Sequence, residues 1–341
     1  MRHLVAQAQS GGIGAVRAAS RLISLLEDDP TILPELFGGM GKWPEPRMIV
    51  GVTGAPGVGK SSLVDSLLVA WRKKYLTSRL GVLAVDPSSP FTGGAVLGDR
   101  VRMMQHANDE NIFIRSLASR GHLGGLTLGI KGAVRVMGLV GCDIVLIETV
   151  GVGQSEVEVA GVADMTLIAL APGGGDGIQM LKAGLMEAGD IFVVNKADRE
   201  GADKLLAELS ATLALIGRSH APTELTAVAP DEMTLSQRAA MRRRKSKPFI
   251  FKASAHAGIG IDELVEGLEG WSRVNAEEIR ARRDEAIRDE VRKAILESAR
   301  RKVDNVLGHN GHFSEKVENV LAGRIGVSAL AEQLMRTATQ Q

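Results

Sequence analysis

Gly54, Ala55, Pro56, Gly57, Val58, Gly59, Lys60 and Ser61 fit the spacing GxxxxGKS, set between the apolar run Met48–Thr53 and a helix-like stretch opening Ser62-Leu63-Val64. In a strand–loop–helix setting, glycines let backbone N–H groups turn inward around phosphate oxygens. The helix N-terminus adds its partial positive charge. Lys60 is then placed to bridge the β- and γ-phosphates, the Ser61 hydroxyl to ligate Mg²⁺, and Ser62 to help hold the α-phosphate. The competing reading, a glycine turn with an incidental lysine, fails to explain why both flanks fit.

A second constellation addresses the base. Asn195-Lys196-Ala197-Asp198 follows the apolar run Ile191–Val194, at the carboxyl end of a strand, where open α/β sheets bind ligands. A carboxylate there accepts two hydrogen bonds from guanine N1–H and the 2-amino group, a donor pair that adenine lacks. Four residues alone are a weak pattern; downstream of a phosphate loop and at a strand end they point to GTP and GDP as ligands. Ser254-Ala255-His256, after the last apolar run, resembles the SAK-type loop whose backbone caps guanine O6.

Three acids are candidates for the Mg²⁺ shell. Asp86 ends the run Leu80–Asp86, which a short parallel crossover from the phosphate loop carries toward the phosphates. Glu148 ends the run Asp143–Thr149, where phosphate-loop enzymes keep an acid, here as Glu-Thr-Val-Gly in place of Asp-x-x-Gly. Asp99, in Gly98-Asp99-Arg100, lies in a glycine-rich loop able to fold over the nucleotide, although an exposed loop acid reads equally well from its type alone. Lys60 and Glu148 are the expected catalytic pair. A Ras-like enzyme has its water-orienting glutamine directly after the motif's glycine, whereas Gln154 stands three residues after Gly151, and no arginine finger is evident in the motifs, so slow intrinsic hydrolysis is expected.

The elements that must position these residues follow from the pattern of apolar runs. Arg47–Thr53, Leu80–Asp86, Ile112–Ser116, Asp143–Thr149, Met165–Leu170, Ile191–Asn195 and Phe249–Ala253 read as strands, most of them separated by helical-period segments. That alternation predicts an α/β P-loop NTPase with a mostly parallel central sheet flanked by helices. The expected division is an N-terminal helical extension over 1–46, a nucleotide-binding core over 47–273, and a C-terminal helical arm over 274–341. Ile13–Leu26 has helical spacing and stops at Glu27, Asp28, Asp29 and Pro30. It therefore reads as an amphipathic helix, although Arg2, Arg17 and Arg21 without an acid also suit a targeting leader. Ile279, Ala286, Ile287, Val291 and Ile295 form an apolar stripe on the arm, which predicts a homodimer.

Composition excludes several classes. Of 341 residues, 41 are basic and 40 acidic, and a net charge of +1 provides no broad field for nucleic acid or an anionic membrane. The basic run Arg242, Arg243, Arg244, Lys245 and Lys247 has no interleaved aromatics for base stacking and reads as a solvated face. No window reaches the ~18 uninterrupted apolar residues of a membrane helix. Cys142 stands alone, which excludes an internal disulfide and points to a cytoplasmic protein.

DPSSPFTGGAVLGDR (Asp86–Arg100), ETVGVGQSE (Glu148–Glu156) and APGGGDGIQMLKAG (Ala171–Gly184), with the phosphate loop and NKAD, resemble the methylmalonyl-CoA mutase-associated GTPases, the MeaB/ArgK group. The resemblance implies a GTP-dependent chaperone that protects an adenosylcobalamin-dependent acyl-CoA mutase and gates loading of its cofactor. It assigns Mg²⁺ duties to Ser61, Asp86, Asp99 and Glu148. Asp176, Gln179 and Lys182 become parts of a partner-responsive switch beyond the glycine run Gly173-Gly174-Gly175; Gln179 and Lys182 also suit plain exposed helix positions. No Asp-x-His-x-x-Gly motif occurs, so the corrinoid is expected to bind to the partner and not to this chain. A nickel-insertion GTPase needs soft or imidazole ligands, which one cysteine and seven scattered histidines supply poorly. An accessory ATPase of amino-acid transport conflicts with the NKAD base motif.

Overall fold

The computed structural model describes residues 2–29, 32, 36, 44–87, 106, 109–119, 125–149, 159–173, 189–219, 249–309 and 312–340. The chain divides into two compact units, Met1–Ala276 and Glu277–Gln341. In the first, helices α1 (Arg2–Gln9) and α2 (Gly12–Asp28) precede β1 (Met48–Thr53) and α3 (Lys60–Lys74). Then come β2 (Arg79–Pro87), β3 (Ile112–Ser119), α4 (Gly125–Leu139), β4 (Cys142–Thr149), β5 (Met165–Leu170), β6 (Ile191–Val194), α5 (Ala202–Ser219), β7 (Phe249–Lys252) and α6 (Ile261–Val274). All seven expected strands form, within a few residues of the predicted bounds.

The strands make one sheet in the order β3-β2-β4-β1-β5-β6-β7, with every pair parallel. Every residue of β1, β5 and β6 is buried, as expected for strands covered by helices on both faces. The chain leaves β1 for one side of the sheet and returns from β4 to β5 on the other. The carboxyl end of β1 is therefore a point where strand order reverses, and ligand sites form at such points. In this order β4 lies between β1 and β2, so Glu148 is next to the phosphate-loop strand and Asp86 one strand further away.

Two buried aspartates fix the opposite end of the sheet. Asp164 accepts the Ile49 amide at 2.8 Å and returns its own N–H to Ile49 O at 2.9 Å. Asp190 does the same for Thr166, at 2.8 and 2.9 Å. Each carboxylate satisfies a donor at a strand start, where the ladder cannot supply a partner.

The alanine-rich face of α2 (Ala15, Ala18, Ala19, Leu22, Ile23, Leu26) is buried in one cluster with Phe113, Leu117, Ile130, Val134 and Met137. The edge strand β3 is fastened to that helix by Glu27, which accepts Arg115 Nη2 and the Ala118 amide, each at 3.0 Å. In the second unit, α7 (Ala276–His309), α8 (His312–Leu321) and α9 (Val327–Gln340) are the described elements. Ile279 is buried, whereas Ile287, Val291 and Ile295 are 44%, 53% and 63% exposed at four-residue spacing on α7. No helix of the described residues is long and apolar enough to cross a membrane.

Candidate nucleotide site

The phosphate loop joins β1 to α3. Gly59 caps α3 in the left-handed region at φ 91°, and a Cβ there would meet Asn195 Nδ2 at 2.7 Å. A Cβ on Gly54 would meet the Ala169 carbonyl oxygen at 2.3 Å. Gly54 is thus required by close backbone approach and Gly59 by the close Asn195 side chain, each as well as by its positive φ. Ala55 and Val58 are buried at the loop's base, while Pro56, Gly57 and Ser62 are exposed. Lys60 is buried and donates to the carbonyls of Gly54 (2.7 Å) and Ala55 (3.1 Å).

Parallel register pairs Val52 with Glu148 and brings the end of β4 beside the start of α3. The Ser61 hydroxyl donates to Glu148 Oε1 at 2.6 Å, and Glu148 is only 4% exposed. Next to it, Thr149 Oγ1 donates to Thr53 Oγ1 at 3.1 Å, tying the end of β4 to the residue before the loop. Asp86 lies at the carboxyl end of β2, two positions past Ala84, the register partner of Glu148. Asp99, Asp176, Gln179 and Lys182 lie outside the described residues.

The base motif is bound to the phosphate loop. Asn195, fully buried at the end of β6, donates to Val58 O (2.9 Å) and Gly59 O (3.3 Å), and its Oδ1 accepts the Ala255 amide at 3.2 Å. Lys196, the one non-glycine residue with positive φ among the described residues, donates to Gly57 O at 2.6 Å. Asp198 is exposed, and the buried Ser254 hydroxyl donates to its Oδ1. That hydrogen bond, then a backbone amide, hold the Asp198 carboxyl below the usual aspartate range; burial opposes them weakly and the charges of Arg199 and His256 add to them. The predicted phosphate, metal and base residues that the structure describes are therefore gathered at one end of the sheet, with Asp86 one strand out. His256 is exposed at the rim.

Sequence reasoning missed a second layer behind the site. Glu269 on α6 is buried, accepts Trp71 Nε1 at 3.1 Å and Lys74 Nζ at 2.9 Å, and so locks the phosphate-loop helix α3 to the helix after the base loop. On its other flank, α3 holds the chain entering β3 through Asp65–His106 (2.7 Å) and Arg72–Asp109 (2.8 Å). No motif signals these pairs, because a helix's periodicity shows which face is buried but not what covers it.

Burial pushes the Glu269 carboxyl up, but the Lys74, Tyr75 and Trp71 hydrogen bonds and the Lys74 charge outweigh it and leave it below the usual glutamate range. Hydrogen bonding to Glu269 raises Lys74. The Glu269 contribution to stability is therefore complete above the ordinary glutamate range and lost as pH falls through the lowered folded value; that of Lys74 is complete below the ordinary lysine range and lost as pH rises through the raised one. Glu269→Gln is expected to lose about 1–3 kcal/mol in urea unfolding at pH 7, with the gap to wild type closing in acid. A pH-independent gap would show that charge is not what the lock uses.

Together, the doubly covered parallel sheet, the glycine loop on a helix N-terminus and the Ser61–Glu148 pair define a P-loop nucleotide-binding protein. The chain belongs to the family described as methylmalonyl Co-A mutase-associated GTPase MeaB, whose model matches residues 30–307. It is 50% identical over 202 residues to a putative GTPase of Pyrococcus abyssi, a match covering 59% of this chain and 62% of that protein, so it spans under two thirds of that relative's length. To the mitochondrial methylmalonic aciduria type A homolog of Caenorhabditis elegans it is 33% identical over 295 residues, covering 84% of this chain and 67% of the other. The fold is shared with a crystal structure of an LAO/AO transport system kinase, at TM-score 0.61 and 21% identity, covering 99% of this chain and 97% of that one.

Proposed function

We propose that this protein binds GTP with Mg²⁺, hydrolyses it slowly, and uses the cycle as a chaperone of an adenosylcobalamin-dependent acyl-CoA mutase, protecting it and gating its cofactor loading. The observation that carries the nucleotide reading is Asn195, whose one side chain bonds both the phosphate loop and the base loop and so makes a single site of them. The donors near Lys60 are hard oxygens, the Ser61 hydroxyl and a nearly buried Glu148 carboxylate, which suit Mg²⁺ and not a soft metal. Ser61, Glu148 and Asp86 would hold the ion, with Asp99 as a further candidate ligand. When bound, Mg²⁺ supplies charge neutralisation across the β- and γ-phosphates. Lys60 contributes a second positive charge at the same phosphates, Asp198 selects the guanine edge, and the backbone of the Ser254–His256 loop caps O6. In calorimetry with Mg²⁺, GTP and GDP are expected to bind tightly and ATP not at matched concentration. Equal affinities for GTP and ATP would exclude the guanine reading and reopen that of a transport ATPase.

The mutase reading rests on family membership. Adding the purified mutase is expected to raise the GTP hydrolysis rate and to yield a complex in gel filtration; neither effect would sink it. The exposed stripe Ile287, Val291 and Ile295 supports a homodimer through the C-terminal arm. Light scattering at micromolar concentration is expected to return twice the monomer mass.

A further inference from the structure

The site holds one contact that neither motif contains. Ser66 lies in the second turn of α3, five residues past Ser61, and its hydroxyl is shared between Ser62 O at 2.9 Å, within the helix, and the carbonyl of Ala255 at 3.1 Å, in the base loop. Ala255 is held at both ends: its N–H donates to Asn195 Oδ1 at 3.2 Å and its C=O accepts from Ser66. Asn195 in turn binds the carbonyls of Val58 and Gly59, which lead directly into Lys60 and α3. The contacts therefore close a ring running from phosphate loop to Asn195, Ala255, Ser66 and back along the helix to the phosphate loop.

We propose that Ser66 is a positioning residue for base recognition: by fixing the carbonyl of Ala255 to the phosphate-loop helix it sets the direction of the Ala255–His256 peptide group, in the loop whose backbone faces guanine O6. This rests on the reading of the site as a guanine-nucleotide site. Two features support a positioning role over plain packing. The i−4 bond to Ser62 would satisfy the hydroxyl by itself, as it does for other helical serines, so the Ala255 contact is additional. Ser254, the neighbour of Ala255, also carries the hydroxyl that holds Asp198, so a rotation of this loop would displace both halves of the base contact. The backbone bonds Ser254 N–H to Ile259 O (2.9 Å) and Ala197 N–H to Ala253 O (3.0 Å) hold the loop's flanks, while Asn195 holds the Ser254–Ala255 peptide group and Ser66 the Ala255–His256 one.

Ser66→Ala removes the hydroxyl from a helix position where alanine is fully tolerated. One neutral hydrogen bond corresponds to about two- to tenfold in affinity, so GDP binding is expected to weaken by about that factor. Because the adenine complex does not use the O6 contact, the GDP-to-ADP affinity ratio falls with it, while affinity for inorganic triphosphate and the unfolding midpoint hold. Ser66→Thr keeps the hydroxyl and is expected to restore the ratio. A wild-type GDP-to-ADP ratio in Ser66→Ala overturns the proposal, as does equal weakening of GDP and triphosphate. Absence of guanine preference in the wild-type protein would instead defeat the underlying site reading, and the wild-type titration separates the two failures.

Discussion

Asp198→Asn is expected to weaken GTP binding by up to ~10⁴-fold while leaving the fold intact. The carboxylate is exposed and has no core role; its side-chain partner among the described residues is the Ser254 hydroxyl, from which an asparagine carbonyl also accepts. The base loop therefore keeps its hydrogen bond and loses only the charge and the second acceptor. Guanine presents two donors on that edge, and the amide nitrogen of asparagine opposes one of them. Xanthine carries a carbonyl at that position, so the variant is expected to gain affinity for xanthosine nucleotides. Calorimetry with both nucleotides tests this directly, and unchanged GTP affinity would remove Asp198 from the base site.

At the other end of the nucleotide, Lys60→Ala and Glu148→Gln are each expected to lower turnover by on the order of 10²–10³-fold, through different routes. Lys60 supplies positive charge at the phosphates, and its removal leaves Mg²⁺ dependence as in wild type. Glu148→Gln preserves an acceptor for Ser61 and nearly the same volume in a site that is 4% exposed, so the loss reports charge and not packing. Its Mg²⁺ titration is expected to shift to higher concentration. Coincident titrations of wild type and the Glu148 variant would take Glu148 out of the metal shell.

What could be read without a structure depended on range. GxxxxGKS and NKAD are legible because the chemistry is local: consecutive backbone amides, a glycine where a Cβ would strike Ala169, a carboxylate at a strand end. The seven strands were legible for a similar reason. Strands buried on both faces must be continuous apolar runs, and Met48–Thr53 and Met165–Leu170 are such runs.

Strand order was not legible, since two apolar runs of equal quality do not state which lies beside β1; only packing put β4 there and moved Asp86 outward. Nor could sequence show that Ser254 restrains Asp198, that Glu269 locks α3 to α6, or that Ser66 reaches Ala255, because each joins residues 56 to 198 positions apart. By itself the sequence determined the class of protein, through residue types whose spacing within one turn or loop is enough to mark a phosphate loop and a candidate guanine-reading acid. The tertiary structure decided how those parts are held relative to one another, because hydrogen bonds between distant segments depend on which surfaces meet, and periodicity along the chain carries no information about a partner.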